Sequence, residues 1–342
     1  MTEIFKEKLS NKEIGDNMRE IKKYIEQLEE AAKFLAKKTP TEARLALLLI
    51  DNLAELFMYN EIREIFARDD YIKVVIKPKY SIKKREKIEK HFKDKCNFLT
   101  NYIKIISNDS RNILVIGHCF RNEAYHNGVI RDNIILNIAR TYFKAICKVL
   151  PILWSGSCIY SNINEIENFL QKYNIKGNLI NREILNKICN ILLEENKCTT
   201  PELCKKLSED LLKRIEDLIN DLDDLSSNVY KGKEKEEILK ELQFSKESII
   251  ENNIPETEES VKEFLNKREK LLVEYNPSIT LCTIKKWREI AINIRSEKLS
   301  GSAMRKFYNI DKKLLTINNM VEDVFLYLDR LVDLEINHRL NK

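Results

Sequence analysis

The chain of 342 residues carries 59 Lys and Arg against 54 Asp and Glu, a formal net charge of +5, and 43% of its residues are hydrophobic. That apolar content excludes a disordered chain and allows one large or two ordinary domains with proper cores. The net charge is small beside the number of charged side chains, so where the charges lie is more informative than their sum.

With only 7 Gly and 6 Pro, turn and hairpin chemistry is scarce while helix-compatible residues abound, and the expected fold class is all-α. Eight cysteines are scattered without a CxxC pair, the pattern of a reduced, cytoplasmic protein. The opening MTEIFKEKLS has no apolar core and the longest apolar runs are about six residues, so neither a signal peptide nor a membrane span is expected.

Residues 17 to 38 read as an amphipathic helix, with Met18, Ile21, Tyr24, Ile25, Leu28, Ala31, Ala32 and Leu35 at spacings of three and four. Thr39-Pro40-Thr41-Glu42 then supplies a capping hydroxyl, a first-turn proline and a glutamate three residues after the cap, opening a helix that reaches about Arg68. Its run from Leu45 to Ile50 is apolar on every side, which predicts burial all round in a bundle or a subunit interface. Asp51 and Glu55 follow one turn apart on a shared face. Two readings are open for them: carboxylates that emerge into solvent, or supports that orient a cluster elsewhere.

Tyr71 to Tyr80 breaks the helical pattern with β-branched residues and Pro78, as a loop or short extended piece. Between Lys73 and Lys90 there are eight Lys/Arg and two Glu. Lys77, Lys79, Lys83, Lys84 and Arg85 form a basic stripe with Tyr71 and Tyr80 at its margins, which is either a nucleic-acid contact or a solvated loop. A helix from Ser81 to about Ile106 is expected next, with Ile82, Ile88, Phe92, Cys96, Leu99, Tyr102, Ile103 and Ile106 inward.

The chemistry concentrates in Ile113 to Gly128, where an apolar approach runs into Arg121-Asn122-Glu123-Ala124-Tyr125-His126. Arginine is always protonated and forks onto phosphate oxygens, and histidine both takes and gives a proton near neutral pH. Together they suit phosphodiester chemistry. This stretch resembles the signature of the HEPN superfamily of ribonucleases: an arginine, a polar residue, three further positions, then a histidine. The resemblance covers roughly residues 15 to 152 and implies a small helical bundle with the signature at or near the start of a late helix.

On a straight helix Arg121 and His126 lie about 140° apart around the axis, whereas Asn122 and His126 share a face. Either the helix begins inside the motif and leaves Arg121 in a loop, or a second subunit completes the site. Proteins of this family are typically dimers whose motifs meet across a cleft, so the resemblance implies a homodimer. It also implies a metal-independent endoribonuclease without a cofactor, in which the RNA 2′-hydroxyl attacks its own phosphate and leaves 2′,3′-cyclic phosphate and 5′-hydroxyl ends. His126 is then the general base or acid, Arg121 stabilises the charge on the pentavalent phosphate, and Asn122 orients the backbone or His126. Tyr125 either meets a phosphate or base or belongs to the core. DNA, lacking the 2′-hydroxyl, is expected to be inert. His118 and Cys119 lie near His126, but no convincing fourth ligand stands at usable spacing, so no metal is expected.

Pro151 closes the expected first domain (residues 1–152), and Leu153 to Cys158 reads as a turn or linker before a second helical region, residues 159–342. Ile163 to Tyr173 and Arg182 to Glu195 are amphipathic, Thr199-Thr200-Pro201-Glu202 is another helix start, and Leu203 to Leu225 has an acidic face. That acidity argues against a DNA-reading helix-turn-helix. Ser226 to Glu237 and Glu251 to Glu259 read as charged connectors. The remaining expected helices are Ser260 to Tyr275, Ser278 to Lys298, Met304 to Leu315 and Ile317 to Leu340, with Ser300-Gly301-Ser302 as a turn. They bury Trp287, Ile290, Ile292, Phe307, Leu314, Val321, Phe325, Leu328 and Leu331. The second half is expected to sense, restrain or dimerise.

The resemblance further implies a toxin or antiviral effector controlled by an antitoxin or another defence-system protein. The rival reading is a non-catalytic helical RNA-binding or scaffold protein that keeps the bundle for dimerisation.

Overall fold

The computed structural model describes residues 11–72, 79–126, 131–154, 158–159, 163–177, 179–247 and 258–340. Among them the chain is helical throughout, apart from one antiparallel pair of two-residue strands, β1 (Cys158–Ile159) and β2 (Leu179–Ile180), in the register Cys158 to Ile180. No described helix is long and apolar enough to cross a membrane. The chain divides into two compact units, Met1–Lys206 with Glu297–Arg305, and Leu207–Ser296 with Lys306–Lys342.

The first unit is built on α1 (Asn11–Ala36) and α2 (Pro40–Ile72), which pack along each other and against α6 (Ile135–Leu153). Ile21, Ile25, Leu28, Ala31, Ala32 and Leu35 of α1 are buried, as their spacing predicts. The Glu42 N–H donates to the Thr39 hydroxyl at 3.3 Å, so the capping sequence starts α2 where expected. Burial of the Leu45–Ile50 run is one-sided, however. Ala46, Leu47 and Ile50 are buried, whereas Leu45 is 41% exposed.

The helix expected over residues 81–106 is broken. Its first piece, α3 (Ile82–Lys90), ends at His91, whose extended backbone (φ −117°, ψ 131°) turns the chain into α4 (Phe92–Asn97). A π-type turn over Phe98–Tyr102 follows, in which the Ile103 N–H reaches back to the Phe98 carbonyl. The break rotates the apolar stripe, so Ile82 and Tyr102, expected inward, stand exposed while Phe92, Cys96 and Leu99 remain in the core.

Next comes α5 (Asn108–His126), started by Ser107, whose hydroxyl accepts the Ser110 N–H at 3.1 Å. It packs between α2 and α6. The Arg121–His126 stretch therefore forms the C-terminal end of a helix and not its start, and the helix does not begin inside the motif. Residues 127–130 lie outside the described residues, as do Lys77 and the side chain of His126.

The boundary expected at residues 152–159 lies inside the first unit. After α7 (Ile163–Gln171), helix α8 (Arg182–Glu194) packs along α6, and β1 contacts α1, so the chain stays with the bundle to Lys206. Ser300-Gly301-Ser302 is likewise no turn: it is the first turn of the 41-residue α13 (Ser300–Leu340). The Gly301 N–H donates to Asp109 Oδ1 at 2.7 Å, and a Cβ at Gly301 would overlap the Asp109 carbonyl oxygen.

The second unit holds most of α9 (Thr200–Asp224) and α13, with α10 (Lys235–Glu247), α11 (Glu258–Glu274) and α12 (Leu281–Ile294). Part of the connector expected over 226–237 is ordered: a π-type turn runs to Val229, Ser226 Oγ donates to the Lys233 carbonyl, and α10 begins at Lys235. Trp287, Phe307, Leu314 and Val321 are buried as expected, whereas Ile290, Ile292 and Leu331 are exposed. Nothing interrupts α13 between Leu315 and Ile317, because that stretch contains neither Gly nor Pro and Leu314 and Ile317 are both core residues.

The helices α5 and α6 approach each other closely at Gly117. A Cβ there would stand within 2.7 Å of three ring atoms of the buried Tyr142. Gly117→Ala is expected to lower stability by about 1–3 kcal/mol through overpacking. Urea unfolding reads this directly, and an unchanged midpoint would show that the two helices are not in contact there.

Candidate active site

At the centre of the first unit α2 presents Asp51, whose side chain is fully buried. Its carboxylate collects donors from two other helices. Tyr142 of α6 donates its hydroxyl to Oδ1 at 2.8 Å. From α5, the Arg121 Nε donates to Oδ2 at 2.7 Å, and a second guanidinium nitrogen stands 2.6 Å from the same oxygen. The His118 Nδ1 lies 3.0 and 3.1 Å from the two oxygens. A carboxylate removed from water is tolerated only with such pairing.

The contacts continue into a closed ring. Arg121 NH1 donates to Asn122 Oδ1 at 2.8 Å, and Asn122 Nδ2 stands 3.1 Å from His118 Nε2. Arg121 has no acceptor, so it can face only the amide oxygen of Asn122. The amide NH₂ must then point at His118 Nε2, which accepts, and the proton of a neutral imidazole sits on Nδ1, donating to Asp51. Each contact in the ring pairs a donor with an acceptor.

The Phe92 ring stacks on the His118 imidazole with centroids 4.1 Å apart and planes within 5°. Burial first, and then the Asp51 carboxylate, push the Tyr142 phenol well above its ordinary value, so it serves as a donor and not as a titrating group. Three of the five Arg121 N–H groups are engaged on Asp51 and Asn122. Two remain for an anion, on a side chain that keeps 22% of its surface exposed.

The helical period explains why these groups converge. His118, Arg121 and Asn122 fall at i, i+3 and i+4. Tyr125, one further turn on, continues the face and is 65% exposed, so it is not a core residue. His126 is the last residue of α5.

The other expected residues separate into groups. Asp51 is not solvated: it binds Arg121 and His118. Glu55, one turn later, points elsewhere and pairs with Lys95 at 2.7 Å. Arg85 is drawn into an ion-pair cluster, with Asp69 and Asp70 each at 2.7 Å, and is not available to a ligand as the basic stripe suggests. The Lys79 backbone N–H donates to Asp69 at 2.9 Å, and this bond, with those from Tyr80 and Arg85, holds the Asp69 carboxyl below its ordinary range. Lys84 lies over the Tyr102 ring at 4.3 Å, and Lys83 is exposed.

Sequence reasoning weighed His118 only as a metal ligand, although it precedes Asn122 by one helical turn, and read Phe92 only as a core position; Tyr142 carried no signal beyond its place on an apolar helix face. Comparison with protein-family models, curated proteins and solved structures gives no match for this chain.

Removing one partner of a buried ion pair leaves an uncompensated charge, so Arg121→Ala is expected to cost about 3–5 kcal/mol. Tyr142→Phe removes one hydrogen bond to a charged group, about 1.5–3 kcal/mol. Denaturant midpoints rank the two variants. Equal, negligible shifts would mean that Asp51 does not depend on these partners.

Proposed function

We propose that the protein is a metal-independent endoribonuclease acting through the exposed face of α5, and that it works as a homodimeric toxin or antiviral effector. The observation that carries this reading is the anchoring of Arg121 by the buried Asp51 on the same helix face as His118 and Asn122, with His126 at the end of that helix. An arginine held on one edge presents its remaining N–H groups to a phosphate without having to be ordered at the moment of reaction.

In the reaction the 2′-oxygen bonds to the adjacent phosphorus as its proton leaves to a base, and the bond from phosphorus to the 5′-oxygen breaks as that oxygen takes a proton. His126 exchanges these protons as base or acid. Arg121 neutralises the added charge on the phosphoryl oxygens. Asn122 and His118 are positioning residues that hold the guanidinium and the Asp51 carboxylate in register. Because α5 is continuous through the motif, the angular separation of Arg121 and His126 is met by pairing two copies of this face, and the homodimer is part of the proposal.

One observation favours a second reading, a non-catalytic RNA-binding or scaffold protein. The hydrogen-bonding ring is satisfied internally, and a buried Asp51 needs Arg121 for folding whether or not any chemistry occurs. This dual role makes Arg121→Ala a poor discriminator, since loss of activity and loss of fold come together.

His126→Ala leaves the Asp51 ring intact and separates the readings. Wild type is expected to cut mixed cellular RNA in EDTA and to leave 2′,3′-cyclic phosphate ends. The variant is expected to fold with an unchanged melting midpoint and to lose at least a hundredfold in rate, within the usual range for general acid–base catalysis of about 10²–10⁴-fold. Equal rates for the two proteins, or ends of another chemistry, would reject the assignment of His126.

A further inference from the structure

The basic stripe does not act as a block, because the structure sorts its members. Arg85 is tied to Asp69 and Asp70, and Lys84 lies on Tyr102. Lys83, Lys87 and Lys90 are exposed, and none has an ion pair among the described residues. They occupy positions i, i+4 and i+7 of α3 and so form a single ridge. The ridge spans about 10 Å along the axis, roughly the rise of three stacked nucleotides. Glu86 lies on the same side of the helix and pairs with none of the three.

The ridge has a direction. Lys87 and Lys90 stand in the last turn of α3, and the chain passes through His91 into Phe92, whose ring lies on His118. Lys93, also exposed, follows on α4. Along the chain, Lys87, Lys90 and Lys93 thus flank Phe92, whose stacking partner His118 stands 3.1 Å from Asn122. Beside them, Tyr102 leaves 56% of its surface exposed next to Lys84.

We infer that Lys83, Lys87 and Lys90 form a track for the phosphates of a single-stranded polynucleotide, delivering it to the α5 face. The identity of that strand as RNA rests on the function proposed above. A row of point charges contacts phosphates without reading bases, and a flexible single strand can follow it.

Counterion release makes the test quantitative. For single strands each neutralised phosphate contributes about 0.7 to the slope of log affinity against log salt. The His126→Ala protein keeps RNA intact while its binding to a labelled oligouridylate is followed by anisotropy at several salt concentrations in EDTA. Lys83→Gln, Lys87→Gln and Lys90→Gln together are expected to reduce the slope by roughly 2, and Lys→Arg at the same positions to restore it. Oligodeoxythymidylate should behave in the same way, since only phosphates are held.

An unchanged slope in the triple Gln variant overturns the track. So does a loss of affinity for polyglutamate with none for oligouridylate, which would make the ridge a docking face for an acidic protein. The two proposals fail separately. A full slope change with no cleavage by wild type removes the nuclease and keeps the track, whereas cleavage by a triple variant of unchanged slope does the reverse.

Discussion

The first unit depends on one buried carboxylate. Asp51 is enclosed completely, and an isolated charge in such a place costs several kcal/mol. The cost is offset by a guanidinium, an imidazole and a phenol drawn from two other helices. Three helices are thereby fixed at a single point. Their approach is close enough only because residue 117 is a glycine, which lets the Tyr142 ring lie against the α5 backbone. Packing and polar geometry constrain each other here: a shift of α6 by the width of a methyl group would remove the Tyr142 hydroxyl from Asp51.

That constraint is also what gives the α5 face its chemistry. Arg121 is held on one edge by Asp51 and at NH1 by Asn122, while His118 is held at both ring nitrogens and clamped by Phe92. Preorganisation of this kind matters for a reaction whose transition state gains charge on phosphoryl oxygens, because donors already in place need no reorganisation. The same ring limits what Arg121 can do: only two of its N–H groups are left to reach an anion.

Helical content, the capped starts at Thr39 and Thr199, and the inward face of α1 were legible in the sequence because they rest on local periodicity and capping. The Arg121–Asn122 pair was legible as chemistry. Its placement was not, since the arrest of the preceding helix at His91 and the π-type turn at Phe98–Tyr102 carry no glycine or proline to announce them. The role of Asp51 was visible only as one of two readings, because whether a mid-helix aspartate faces solvent or core depends on a partner 70 residues away. In the basic stripe the charges were legible but their pairing was not, as composition does not reveal that Arg85 is held by Asp69 and Asp70. In the second unit the same device recurs: the buried Asp311 of α13 is paired with Arg214, which also meets Asp210 of its own helix.

The most direct measurement is a single-atom change in the substrate. An RNA that the wild-type protein cuts at a mapped bond is remade with one 2′-deoxynucleotide on the 5′ side of that bond, and cleavage is followed in EDTA. Attack by the 2′-hydroxyl predicts that this bond becomes resistant while other bonds are cut as before. Cleavage of the deoxy-substituted bond at an unchanged rate would contradict the account.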